Sequence, residues 1–171
     1  TYSDSARFIG PTYPTRELAF SPTLEVFGRK LRLSSQVDAK WGFRKFNNTL
    51  RHMCQGGGSC RGLFDRSAPL EVQAAALAAN GPGIFAGMFE RGDFVRFREV
   101  SAAYELPGAL ARRARASRLQ LILTGRNLGV LTNYTGVDPE AAQSNSDTRG
   151  NEEFFATPPL RYVTFRLNAT F

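Results

Sequence analysis

Strict alternation of apolar and polar residues over long segments constrains the fold of this chain more than any other feature. In the last such segment, one parity is apolar and comprises Val163, Phe165, Leu167, Ala169 and Phe171. The other parity comprises Thr164, Arg166, Asn168 and Thr170. Successive side chains of a β-strand point to opposite faces, so this pattern predicts a strand with one apolar and one polar face.

Alternation of this kind occurs in five segments. The predicted strands lie at about residues 15–27, 31–46, 93–106, 117–130 and 159–171. At about 10 to 16 residues each, they are longer than the usual globular strand of about 5–6 residues. A strand that crosses a bilayer needs about 9–11 residues, which these lengths provide. In the third strand the apolar parity changes between Phe97 and Val100, which predicts a β-bulge near Arg98 and Glu99.

The connections between these strands alternate in length. Short turns lie at 27–30 and 107–117, whereas long connections cover about 47–92 and 131–158. Outer-membrane barrels have short turns on the periplasmic side and long loops on the extracellular side. We therefore predict an all-β fold, namely a segment of an antiparallel up-and-down transmembrane β-barrel in which 47–92 and 131–158 are extracellular loops.

A soluble β-sandwich also has alternating strands, but the charges on the polar parity argue against it. Asp38 lies on this parity together with four cations. The cations, which we predict to face the lumen of the barrel, are Arg32, Lys40, Arg126 and Arg166. Unpaired charges are too costly for the packed core of a sandwich, whereas a polar barrel interior accepts them.

The composition excludes several other classes of protein. The chain has 171 residues, of which 42% are hydrophobic, and this content is too high for intrinsic disorder. Two cysteines are too few for a disulfide-dense scaffold, and no apolar run reaches the roughly 18 residues of a transmembrane helix. The chain begins at Thr1 rather than Met, so we expect a processed chain or a piece of a longer one.

A net charge of +7 raises the question of a polyanionic partner. Four arginines cluster in one short connection, at Arg112, Arg113, Arg115 and Arg118. No aromatic residues of the kind that stack on bases lie between them. We therefore favour a periplasmic turn, with about one helical turn over 107–116, whose arginines meet phospholipid headgroups, and we expect no nucleic-acid partner.

Four segments resemble, in order, the C-terminal part of the SusC/RagA-type TonB-dependent outer-membrane receptors. They are residues 15–49, 92–107, 121–140 and 158–171, and the resemblance extends over most of the chain. The most specific pieces are Gly-Asp-Phe-Val-Arg at 92–96 with Leu-Pro at 106–107, and Gly-Arg-Asn-Leu at 125–128 followed by Tyr-Thr-Gly-Val-Asp-Pro-Glu at 134–140.

The resemblance implies the C-terminal five-strand segment of a barrel of about 22 strands, whose plug domain is not present here. It also implies that the apolar parity of the last strand, from Val163 to Phe171, is the signal recognised by the barrel-assembly machinery. Such a receptor lies in the outer membrane of a Gram-negative-type bacterium and imports a bulky nutrient, such as an oligosaccharide or a peptide. The implied partners are the rest of the barrel and plug, TonB (which contacts the absent N-terminal part), a SusD-like surface lipoprotein and the lipid bilayer.

Two other functions remain open at this point. One is an outer-membrane structural or adhesion component without transport, and the other is a soluble basic β-protein that binds nucleic acid. In the transport interpretation the last strand ends at the periplasmic face. The residues from Thr1 to about Tyr13 are then expected in an extracellular loop.

Cys54 and Cys60 enclose the five residues Gln-Gly-Gly-Gly-Ser within the first predicted extracellular loop. An oxidising location and a flexible spacer favour a disulfide between them. A metal site with His52 is the alternative, but the spacing matches no zinc pattern and a fourth ligand is not evident. Because no residues are arranged as in a catalytic site, we predict no metal, no cofactor and no enzymatic activity.

Residues 69–80 have the composition of a helix, with Pro69 near the start and Asn80 and Gly81 as stop signals. We predict a short surface helix within the first long loop. Leu70, Ala74 and Leu77 fall on one face of it, which suggests a surface that docks a partner.

Five aromatic residues could stack on a ligand or form the girdles at the membrane interfaces. They are Trp41, Phe43, Phe46, Tyr104 and Tyr162. Because Trp41 and Phe43 lie on the apolar parity, we favour the girdle.

Overall fold

A computed structural model describes residues 5–56, 59–142, 144–146 and 150–171, with the backbone alone at 144–146 and 150. Residues 1–4 of the expected extracellular segment, Gly57 and Gly58 of the cysteine spacer, and residues 143 and 147–149 of the second long connection lie outside the described residues. The chain divides into two compact units. Unit 1 comprises Thr1–Arg16, Lys40–Phe94 and Thr132–Pro158, and unit 2 comprises Glu17–Ala39, Val95–Leu131 and Pro159–Phe171.

The described part of the chain contains two β-sheets and four α-helices. In chain order the strands are β1 (Arg16–Phe20), β2 (Thr23–Val26), β3 (Leu31–Trp41), β4 (Arg44–Asn47), β5 (Phe89–Arg91), β6 (Phe94–Glu105), β7 (Arg118–Thr132), β8 (Ser144–Ser146), β9 (Gly150–Glu153) and β10 (Tyr162–Thr170). The helices are α1 (Asn48–Gln55), α2 (Arg61–Phe64), α3 (Leu70–Asn80) and α4 (Gly108–Arg113), with a 3-10 turn at Ala86–Met88. No helix within the described ranges is both long and apolar enough to cross a membrane.

The long strands form one six-stranded sheet in chain order, β1-β3-β6-β7-β10, with β2 also paired to β3. Neighbours in the chain are therefore neighbours in the sheet, as in an up-and-down barrel wall. The first predicted strand is divided into β1 and β2 at Ser21 and Pro22. Pro22 has no N–H to give to a strand ladder, and its carbonyl accepts a hydrogen bond from Ser35 N at 3.1 Å.

The register between β7 and β10 keeps the two faces of the sheet separate. Phe165 lies opposite Leu123 and Leu167 lies opposite Leu121, whereas Thr164 lies opposite Thr124. A register shifted by one residue would place apolar side chains on the polar face, so the hydrophobic pattern specifies this pairing.

The second predicted strand, 31–46, does not lie entirely in the six-stranded sheet. The strand ends at Trp41, and the next residue, Gly42, adopts a φ of +80°. Thr15 packs so closely against Gly42 that a Cβ at position 42 would lie 2.1 Å from Thr15 Oγ1. Only glycine adopts this conformation easily, so the chain changes direction here. Residues 44–47 form β4, which belongs to the other sheet.

The long connections are folded rather than extended. Helices α1, α2 and α3 and the four-stranded sheet β5-β4-β9-β8 lie in unit 1, and within this sheet β4 and β9 are parallel. The core of the unit is a cluster of buried side chains: Phe46, Cys54, Cys60, Ala76, Ala79 and Met88.

The girdle interpretation is wrong for Phe43 and Phe46. Their side chains are only 4% and 1% exposed, because the chain has left the six-stranded sheet before either residue. Phe46 packs on Phe89 with ring centroids 4.8 Å apart, and Phe43 lies against Gly92, where a Cβ would be 2.2 Å from the ring. Both rings therefore stabilise the fold of unit 1.

Candidate functional site: a two-faced wall and a buried polar cluster

One face of the strands in unit 2 carries large exposed apolar side chains. They are Leu18, Phe20, Leu24, Val95, Phe97, Val100, Leu123, Val163, Phe165 and Leu167. In β6 the exposed residues change parity between Phe97 and Val100, at the place where the sequence predicts a bulge. Apolar side chains exposed along successive strands form the surface that a barrel presents to lipid. We call it the outward face.

The opposite face carries ion pairs between neighbouring strands. Arg32 Nη2 lies 2.6 Å from Glu25 Oε1, and Arg126 Nε lies 2.7 Å from Glu99 Oε2. Arg98 forms a further pair with Asp38. Ion pairs at a surface contribute little to stability, but these three keep this face polar and offset part of its positive charge.

The predicted lumen cations occupy separate positions. Arg126 also donates to the Tyr162 hydroxyl at 3.4 Å, whereas Arg166 lies opposite Ile122 and has no ion pair within the described residues. Lys40 is half-buried in unit 1. The structure therefore pairs Arg32 and Arg126 with different carboxylates and does not bring the cations of unit 2 together at one binding site.

A second polar arrangement lies inside unit 1. Lys45 and Glu153 are both 0% exposed, and Glu153 accepts hydrogen bonds from Thr49 Oγ1 at 2.9 Å and Tyr134 OH at 3.1 Å. Lys45 Nζ donates to Asn151 Oδ1 at 3.0 Å. We call these five residues the Lys45–Glu153 cluster. Buried charges are tolerated only when they are hydrogen-bonded and compensated in this way.

Burial changes the proton affinity of two members of the cluster. Desolvation lowers the pKa of Lys45 to about 8, although the carboxylates of Glu153, Asp138 and Glu140 favour its charged form. Desolvation, followed by the charge of Glu153, raises the pKa of Tyr134. The tyrosine hydroxyl therefore remains a hydrogen-bond donor to Glu153 at any physiological pH.

The motif at 134–140 is explained by this cluster. A Cβ at Gly136 would lie 2.4 Å from the Tyr134 ring and 2.6 Å from Glu153 Oε2, so only glycine fits. Thr135 N donates to Glu90 Oε2 at 2.8 Å, and Asp138 Oδ1 accepts from Glu140 N at 2.8 Å. The motif thus attaches the second long connection to the strands of unit 1.

The motif at 92–96 has an equivalent role within unit 1. Asp93 Oδ1 accepts a hydrogen bond from Gly42 N at 2.8 Å, and the Asp93 carbonyl accepts one from Thr132 Oγ1 at 2.7 Å. One aspartate therefore holds two distant segments of the chain. In the motif at 125–128, Asn127 Nδ2 donates to the Leu160 carbonyl at 2.9 Å.

Cys54 and Cys60 are joined by a disulfide with an S–S distance of 2.03 Å, and both are 2% exposed. His52 packs against Phe154 with ring centroids 4.5 Å apart, and its Nδ1 lies 3.0 Å from the Asn48 carbonyl. Within the described residues, no group of three or more His, Cys, Asp or Glu side chains is placed to hold a metal ion.

The arginine-rich connection divides into two parts. Arg118 Nη2 lies 2.7 Å from Glu105 Oε2, and the residue opposite Arg118 is Thr170, on the polar face. Arg112, Arg113 and Arg115 are exposed and belong to α4 and the turn that follows it. Only three of the four arginines that are clustered in the sequence therefore remain together in the structure.

Lys45, Glu90 and Glu153 were not identifiable from the sequence. Lys45 lies 106 residues from Asn151, and Asn47 lies 43 residues from Glu90, its hydrogen-bond partner. The local alternation of polar and apolar residues shows only that these three residues are polar. Their positions inside unit 1 depend on contacts between segments far apart in the chain.

The chain is similar in sequence to the TonB-dependent receptor P3 of Formosa agariphila, with 32% identity over 85 residues. The matched region is 47% of this chain and 8% of the receptor, so the chain spans a small part of that relative. No family model matches the chain.

Solved structures of a peptide importer share the fold. The RagAB peptide importer in its open-open state matches with a TM-score of 0.72 and 22% identity, covering 100% of this chain and 19% of the importer chain. Its closed-closed state matches with a TM-score of 0.61 and 22% identity, covering 83% and 16%. These relatives are a receptor and an importer rather than enzymes, and the structural likeness shows the fold, a segment of an antiparallel barrel wall.

Proposed function

We propose that this chain is a segment of a TonB-dependent receptor and that it supplies wall strands and extracellular loops to an outer-membrane importer of a bulky nutrient. The observation that carries the proposal is the separation of faces in unit 2. One face is exposed and apolar, and the other is polar and ion-paired. This separation suits a wall between lipid and a water-filled passage.

The orientation in the membrane follows from the connections. The segments 47–92 and 131–158 face the cell exterior, and the turns at 27–30 and 107–117 face the periplasm. The Cys54–Cys60 disulfide supports this orientation, because disulfides persist in oxidising surroundings. The alternating residues from Val163 to Phe171 serve as the signal for barrel assembly.

The partners follow from the same proposal. The rest of the barrel and a plug complete the receptor, TonB supplies energy through the plug region, and a SusD-like lipoprotein covers the extracellular side. The exposed face of α3, with Leu70 83% and Leu77 61% exposed, is a surface on which such a lipoprotein can dock. The nutrient is an oligosaccharide or a peptide, and the likeness to a peptide importer supports the peptide class.

The test is uptake by a strain that lacks the whole receptor. Labelled peptide and oligosaccharide pools are supplied separately, with a small sugar that passes through general porins as the control. We expect loss of the receptor, or loss of TonB, to abolish uptake of one pool and to leave the small sugar unaffected. Unchanged uptake of both pools, with the protein located in the outer-membrane fraction, would instead favour a structural or adhesive role.

A further inference from the structure

Helix α4 lies on the outward face of the wall. Its buried residue Ala111 and the following Ala116 pack against Leu119 and Leu106. Leu119 belongs to the apolar parity of β7, where it lies opposite Ala169 in the register with β10. In the membrane orientation proposed above, a helix on this face at the end of the strands lies near the bilayer interface.

The position of α4 along the sheet is also determined. Ser117 N donates to the Thr170 carbonyl at 2.7 Å, and Leu106 N donates to the Leu119 carbonyl at 3.0 Å. These bonds place α4 at the end of the sheet where β6 ends and β7 begins. The other short turn is at this end too, because Glu105 N donates to the Lys30 carbonyl at 2.7 Å.

The exposed side of α4 combines cations with an apolar residue. Arg112, Arg113 and Arg115 are exposed and have no ion pair within the described residues. Leu110, one residue before Ala111, is 45% exposed. The nearest carboxylate on this end of β6, Glu105, is already paired with Arg118 on the polar face. The three guanidinium groups are therefore available to bind a molecule other than this chain.

We propose that Arg112, Arg113 and Arg115 form a binding site for the phosphate headgroups of anionic phospholipids in the periplasmic leaflet. Leu110 reaches the acyl region, and the guanidinium groups pair with lipid phosphates. Lipid is favoured over a soluble polyanion because the helix that carries the arginines packs on apolar residues of the outward face and exposes Leu110. The inference rests on the membrane orientation proposed above but not on the imported nutrient.

The test is native mass spectrometry of the whole receptor in detergent, titrated with phosphatidylglycerol or phosphatidylcholine. An arginine near an anionic surface contributes about 1 kcal/mol, or roughly fivefold in affinity. We expect the Arg112→Gln/Arg113→Gln/Arg115→Gln variant to bind phosphatidylglycerol at least tenfold more weakly and phosphatidylcholine as the wild type does.

A charge-matched control variant carries Arg66→Gln, Arg91→Gln and Arg161→Gln, three exposed arginines that belong neither to α4 nor to the turn after it. It should bind both lipids like the wild type. Equal losses in the two variants would overturn the proposal, because net charge would then explain the binding. Displacement of the lipid by millimolar inorganic phosphate at constant ionic strength would overturn the lipid assignment in favour of a free-phosphate site. Neither readout depends on uptake, so failure of import leaves this result interpretable.

Discussion

Lys45 and Glu153 illustrate how much single buried residues contribute to the fold of unit 1. Both are completely buried, and together they connect β4, α1 and the second long connection through Tyr134, Thr49 and Asn151. A single unpaired buried charge costs several kcal/mol, so each partner is needed by the others. The cluster therefore holds the two long connections of unit 1 together.

The lowered pKa of Lys45 predicts a pH dependence. The folded pKa is about 8 and the ordinary pKa of a lysine side chain is 10.5, so between these values the folded state binds fewer protons than the unfolded state. Stability should therefore rise as the pH increases from about 8 to about 10.5, by up to about 3 kcal/mol. Thermal unfolding of the wild-type receptor against a Lys45→Met variant over this range measures the effect. A rise of equal size in the variant would exclude Lys45 as its source.

At the scale of elements, the disulfide links the end of α1 to the start of α2. The bond closes a short loop, with a sequence separation of 6, and both cysteines belong to the core with Phe46 and Met88. The disulfide therefore reduces the conformational entropy of the unfolded chain, and its sulfur atoms also pack in the core of the folded unit.

We expect the Cys54→Ala/Cys60→Ala variant to lose about 2 kcal/mol of stability in unit 1, the loop entropy of so short a ring. Limited proteolysis of the intact receptor reports on this unit, and cleavage between 48 and 80 should accelerate. Ser59→Ala, an exposed change within the ring, is the control. Equal cleavage rates in all three proteins would show that the bond does not stabilise the loop.

Helix α3 has two different faces. Ala76 and Ala79 are buried in the core of unit 1, whereas Leu70 and Leu77 are exposed. The sequence predicted this helix and the exposed face, because Pro69 and Gly81 mark its ends and Leu70, Ala74 and Leu77 recur at helical spacing.

The Leu70→Glu/Leu77→Glu variant tests whether this face docks the proposed lipoprotein. Placing two carboxylates in an apolar interface should lower co-purification of the lipoprotein at least tenfold, because both charges would be desolvated. Val137→Glu, at another exposed apolar residue of unit 1, is the matched control. Recovery at the wild-type level would place the docking surface elsewhere.

At the scale of the whole molecule, the proposed contact with lipid explains the exposed apolar side chains of unit 2. Leu123 on β7 is 49% exposed opposite Phe165, which is 69% exposed. In water such a surface would promote aggregation, whereas in a bilayer it is the solvated face.

A pair of arginine substitutions on β7 tests which face meets lipid. Leu123→Arg should destabilise the receptor by about 2–4 kcal/mol, because it places a charge on the lipid face near the middle of a strand. Gln120→Arg, on the other parity of the same strand, should have little effect. Denaturant unfolding in lipid vesicles measures both. Similar losses would contradict the assignment of the faces.

The sequence by itself determined the strands of the wall, the two faces and α3, because each depends on a local period of the chain. The alternation from Val163 to Phe171 identifies the residues of the outward face even when the adjacent strands are unknown. Local alternation did not show that the strand predicted at 31–46 ends at Trp41, where Gly42 has a positive φ and packs against Thr15 from a distant segment. The tertiary structure alone also decided the burial of Phe43 and Phe46, the separation of Arg118 from the other arginines, and the Lys45–Glu153 cluster. The physical reason is that these features are contacts between segments far apart in the chain, and no local period encodes such contacts.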